Sequence, residues 1–140
     1  MLMQNKMTVT HAPFCRAPMP ENMQETIQQI NKRLEVNDPE AFYNMGAVYF
    51  IGQVVVQDKS KGLGYYIRGA ELGSTRAASE LGQIYRICES VSKDVKKARH
   101  YYELAAMSGD SASRCQLGFE EVNSGKFDKA LKHWQISCAR

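Results

Sequence analysis

Asn44-Met45-Gly46-Ala47-Val48-Tyr49 returns 36 residues later as Glu80-Leu81-Gly82-Gln83-Ile84-Tyr85, and the central pair returns again as Leu117-Gly118. The recurrence extends outward. Tyr65-Tyr66 becomes Tyr101-Tyr102, and Ala70-Glu71-Leu72-Gly73 becomes Ala106-Met107-Ser108-Gly109. A fixed period in the thirties marks a helical repeat array. In such an array no unit buries its apolar face alone, and each stacks on its neighbours. The chain therefore reads as all-α, with about seven helices.

Local signals place those helices. Asp38-Pro39-Glu40 offers a side-chain acceptor, a residue suited to the first helical position and an acid for the positive end of the dipole. The first helix of repeat one then runs to about Phe50 and ends at Gly52. A Val54-Val55-Val56 loop follows, and Asp58 opens a second helix that stops at Gly73. Repeat two copies the plan, from about Thr75 to Cys88 after Ser74, then from Ser92–Asp94 to Gly109. Repeat three begins at Asp110-Ser111 and runs to about Asn123, then from Lys126 to the end. Lys61, Lys97 and Lys129 align, but the second interval is 32 residues, so four residues are lost where repeat one has its valine loop. Loops are where arrays absorb length change. The expected divisions are a tail over residues 1–20, a capping helix over 21–37 with Met23, Ile27, Ile30 and Leu34 on one stripe, and repeats at 38–73, 74–109 and 110–140.

Gly46, Gly82 and Gly118 fall mid-helix, where glycine costs about 1 kcal/mol relative to alanine. Close approach of the two helix backbones of a repeat is the expected compensation. Tyr49, Tyr66, Tyr85, Tyr102 and Trp134 are the large residues expected to fill the space between layers.

Composition excludes several classes. The formal charge is +3 with basic and acidic residues interspersed, which gives no nucleic-acid stripe. Lys126, Lys129, Lys132 and Arg140 read as a solvated face. No apolar run approaches the roughly 20 residues a membrane span needs, and residues 1–7 do not read as a secretory signal. Cys15, Cys88, Cys115 and Cys138 form no close pair, so free thiols in a reducing, cytoplasmic setting are expected.

The repeated positions resemble the Sel-1-like repeat, a relative of the tetratricopeptide repeat. The first copy carries the pattern as Ala41, Met45, Gly46, Tyr49, Gly52, Asp58, Lys61, Tyr65, Tyr66, Ala70 and Gly73. The second carries it as Ala77, Leu81, Gly82, Tyr85, Asp94, Lys97, Ala98, Tyr101, Tyr102, Ala105, Ala106 and Gly109. The third copy is partial, with Leu117, Gly118, Gly125, Lys129, Ala130 and Trp134. Met45, Gly62 and Ile87-Cys88 depart from the pattern. The resemblance implies a right-handed α-solenoid of antiparallel helix pairs that serves as an adaptor or scaffold without catalysis or cofactors. It also implies that an unknown protein or peptide docks on a concave face lined by the first (A) helix of each repeat. Candidate docking residues are Tyr43, Asn44, Gln83, Arg86 and Glu120, with Trp134 on the last helix.

The tail holds a second echo. Ala12-Pro13-Phe14-Cys15-Arg16-Ala17-Pro18 resembles the closing stretch of a RING-type zinc finger. The alternative it suggests is a substrate-binding fragment of a ubiquitin-ligase relative. Structural zinc needs four N or S ligands, and this stretch supplies Cys15 and at most His11, so no metal is expected. His100 and His133 recur in successive second helices without converging carboxylates or thiols and read as structural. Glu103 and the Glu120-Glu121 pair read as solvated helix faces. A small hydrolase is a third class, opposed by the lack of a nucleophile–base pair. Phe127, Leu131, Trp134, Ile136 and Cys138 give the last helix an apolar strip with no following repeat to cover it, which leaves self-association open.

Overall fold

The computed structural model describes residues 21–87 and 92–138. Among them lie seven helices and no strand. They are α1 (Glu21–Glu35), α2 (Pro39–Ile51), α3 (Lys59–Glu71), α4 (Thr75–Ile87), α5 (Val95–Met107), α6 (Ser111–Asn123) and α7 (Phe127–Cys138). Residues 1–20, with the zinc-finger-like stretch, and Cys88 lie outside the described residues.

The helix starts are set by the residues the sequence marks. The Asp38 carboxylate accepts from the Glu40 amide at 3.0 Å, that of Asp58 from Lys61 at 2.9 Å, and that of Asp94 from Lys97 at 3.0 Å. Ser74 Oγ accepts from the Ala77 amide at 3.2 Å, and Asp110 from that of Ser113 at 2.9 Å. Each cap satisfies a backbone donor that the helix cannot pair internally. Gly52 ends α2 at φ 74°, a left-handed conformation that side chains disfavour.

One backbone bond closes the turn between the first (A) and second (B) helix of each pair. The Asp58 amide donates to the Tyr49 carbonyl at 2.9 Å, Asp94 to Tyr85 at 2.9 Å, and Lys126 to Glu121 at 2.7 Å. The third turn keeps this bond despite its missing residues, so the shortening is confined to the loop.

The chain divides into two compact units, one ending at Ala77 and the other starting at Ala78. In the first, Ile30 of α1 packs with Ala41 and Met45 of α2, and Leu34, Val48, Tyr49 and Tyr65 surround them. In the second, Leu81, Tyr102 and Leu117 are almost completely buried, alongside Ala98, Ala105 and Ala130.

The mid-helix glycines accommodate rings as well as the expected backbone approach. A Cβ on Gly46 would stand 2.7 Å from Tyr66 Cδ1, and one on Gly82 would stand 2.6 Å from Tyr102 Cδ1. On Gly118 it would run into the Trp134 indole. Each glycine therefore makes room for an aromatic ring on the partner helix, and at Gly46 also for that helix's backbone, with the Gly62 carbonyl oxygen 3.1 Å from the added Cβ. True backbone approach occurs at Gly62, where a Cβ would lie 2.8 Å from the Phe50 nitrogen and 2.9 Å from the Gly46 carbonyl oxygen. As α2 rises from Gly46 to Phe50, α3 falls from Tyr66 to Gly62, so the pair is antiparallel.

Candidate functional site

In the first unit the sequence candidates are Tyr43 and Asn44, both half-buried on α2. The Tyr43 ring lies 5.7 Å from that of Tyr66, and the Arg76 guanidinium sits 4.2 Å above it. Arg76 also reaches Glu40 at 3.5 Å, while Ser74 Oγ donates to Glu40 at 2.7 Å. Tyr43 is thus clamped between core and cation. Asn44 turns instead into an open groove of about 390 Å³ between α1 and α2, lined also by Thr26, Gln29, Ile30, Arg33 and Val48. Arg33 Nε donates to Asp38 Oδ2 at 2.7 Å, and this bond holds the Asp38 carboxyl below its ordinary range.

In the second unit Gln83 is exposed between four buried neighbours, Leu81, Gly82, Ile84 and Tyr85. Arg86 is half-buried, and its Nε donates to the buried Tyr102 hydroxyl at 3.3 Å. Glu120 is half-buried and lies 3.5 Å from Arg99 Nη1. Burial pushes its carboxyl up, against the pull of Arg99 and Arg86. Trp134 is committed to packing, its indole against Gly118 and edge-on to Phe119 at 5.6 Å.

Glu121 corrects the solvated-face reading. Its side chain is 1% exposed and pairs closely with Arg99 Nη2, with Lys126 Nζ 3.9 Å from its other oxygen. Arg99 holds the Glu121 carboxyl down despite burial, helped by Lys126 and Lys129. The physical reason lies in the register. Glu121 occupies the position of Tyr49 and Tyr85. There Tyr49 stacks on Tyr65 at 5.7 Å beneath the Lys61 ammonium, and Tyr85 stacks on Tyr101 at 5.8 Å beneath that of Lys97. The third helix pair puts Glu121, His133 and Lys129 at the corresponding places, so an ion-pair cluster stands in for the aromatic stack. The sequence reading missed Arg99 and the α1 side of the groove.

His100 is exposed and edge-on to Tyr101 at 5.2 Å. Cys115 is a half-buried free thiol. Among the described residues, no group of three His, Cys, Asp or Glu could hold a metal ion, and no helix is long and apolar enough to cross a membrane.

Paired helices locked by a glycine under an aromatic ring, with the glycine recurring every 36 residues, define a helical repeat protein. Residues 39–74 and 75–110 each match the Sel1 repeat, and the chain belongs to the Sel1 repeat family. Its fold is similar to the crystal structure of a Sel1 repeat protein from Oxalobacter formigenes, with TM-score 0.72 and 31% identity over 82% of this chain and 49% of that one. It is also similar in fold to a protective antigen of uropathogenic Escherichia coli strains displaying an SLR fold, with TM-score 0.70 and 24% identity over 81% of this chain and 25% of that one. The chain thus spans about half the length of the first structure and a quarter of the second. A comparison with curated proteins found no match. Sel1 repeats are protein-interaction scaffolds, and the match falls on the repeats alone.

Proposed function

We propose that this chain binds a protein or peptide partner through exposed and half-buried side chains of its A helices, without chemistry of its own. Tyr43 and Asn44 on α2 serve in the first unit, and Gln83, Arg86 and Glu120 on α4 and α6 serve in the second. The observation that carries the reading is the exposure of Gln83 in the middle of a buried run, because packing gives no reason for an amide there. Under this reading α6 and α7 act as a third, shortened repeat and α1 caps the first. The A helices line the concave face expected of the family. The free Cys115 thiol suits a cytoplasmic partner. Self-association through α7 is a second reading, favoured by the exposure of Phe127 (66%) and Leu131 (53%).

Photo-reactive residues at Tyr43, Gln83, Ser60, Lys96 and Leu131, installed one at a time in living cells, test both readings. Cross-links from Tyr43 and Gln83 to one and the same protein are expected, with none from Ser60 or Lys96 on the B helices. Cross-links confined to the B helices contradict the proposal. A cross-link from Leu131 to a second copy of the chain supports self-association, and its absence rejects it.

A further inference from the structure

We propose that the groove between α1 and α2 is a docking site for an extended segment of a partner protein that carries an acidic side chain two positions from an aliphatic one. This deepens the proposed function and rests on it. Thr26, Gln29, Ile30 and Arg33 are spaced to lie along one face of α1, and Asn44 and Val48 lie one turn apart on α2. The floor is apolar, with Ile30 7% exposed and Val48 half-buried. The walls carry two primary amides, Gln29 and Asn44. No hydrogen bond to either amide forms among the described residues, and Asn44 is half-buried. An amide both donates and accepts, which matches the alternating C=O and N–H groups of an extended backbone.

The distance from Thr26 to Arg33 along the helix is about 10 Å, the length of roughly three extended residues. Alternate side chains of such a segment point the same way, about 7 Å apart. One on the Ile30–Val48 floor therefore places the next near Arg33. There the Nε–H is taken by Asp38, and the terminal guanidinium nitrogens remain able to pair with a carboxylate. Lys32 adds a second cation in the same last turn. Charge disfavours the chain's own start as occupant, because residues 1–20 contain no Asp or Glu.

The probe is a pool of N-acetylated, C-amidated heptapeptides with one leucine two positions from one glutamate, titrated into isotopically labelled full chain and followed by two-dimensional NMR. The side-chain amide of Asn44 and the Nε–H of Arg33 are expected to shift together. Replacing the glutamate by glutamine should weaken binding about tenfold, and Arg33→Ala should abolish that preference while the spectrum stays folded. Asn44→Ala should weaken both peptides alike. Shifts elsewhere, or no shift at all, would overturn the proposal. A-helix cross-links obtained alongside any of these outcomes would leave the scaffold reading intact and remove only the groove.

Discussion

Replacing Tyr102 with alanine is expected to destabilise the protein by about 3–5 kcal/mol, the usual cost of truncating a buried aromatic. Tyr102 is 1% exposed, its ring lies over Gly82, and its hydroxyl accepts from Arg86. Truncation opens a cavity against a glycine, which has no side chain to fill it, and strips Arg86 of its partner. The companion change exposes the logic. Gly82→Ala should cost up to about 2 kcal/mol in the native protein. Overpacking costs about 1–3 kcal/mol, while the better helix former returns about 1 kcal/mol. In the Tyr102→Ala background the ring is gone, so Gly82→Ala should stabilise by up to about 1 kcal/mol. Urea denaturation of the four proteins measures all of this. A Gly82→Ala effect with the same sign in both backgrounds would show that the ring is not what the glycine accommodates.

Arg99→Ala is expected to cost about 2–3 kcal/mol at neutral pH. Removing one member of a buried ion pair costs about 3–5 kcal/mol, but the Arg99 head is 38% exposed, so solvent screens part of it. Lys126 stays near the stranded carboxylate, with Lys129 also acting on it and the neighbouring Glu120 carboxylate opposing. The pH dependence should change sign. In the native protein the Glu121 carboxyl is held below its ordinary value. It therefore contributes stability above that value and loses it as pH falls through the lowered one. Glu120, pushed up by burial, works in the opposite sense. Without Arg99, burial should push the Glu121 carboxyl up as well. The variant should then gain stability from Glu121 on going from neutral pH down to the ordinary Glu value of about 4, whereas in the native protein Glu121 gives no such gain and begins to lose its contribution only below that value. Parallel pH curves for the two proteins would rule out Arg99 as the partner that sets Glu121.

Most of the fold was legible because its signals are local. Asp38, Asp58, Asp94 and Asp110 each sit beside the turn they cap, and Gly52 and Gly73 stand where a side chain is disfavoured. The role of Gly46 and Gly82 was harder to read. A glycine within a helix says that space is short but not what occupies it, and the rings responsible lie on the next helix. Glu121 was misread because two adjacent glutamates on a helix look solvated, although they point about 100° apart. Aligning Glu121 with Tyr49 and Tyr85 shows that it must face inward, since the packing register is shared and only the chemistry differs. The groove could not be read from the period. Its walls come partly from α1, which has no counterpart inside the repeat, so the distance between Arg33 and Asn44 depends on how that helix docks.

The central claim is that the A helices, and not the B helices, receive the partner. Hydrogen exchange of the chain, alone and in complex with the protein captured by the Gln83 cross-link, measures this most directly. Slower exchange along α2, α4 and α6 with α3 and α5 unchanged is the expected result. Protection confined to α3, α5 or α7 would contradict the account.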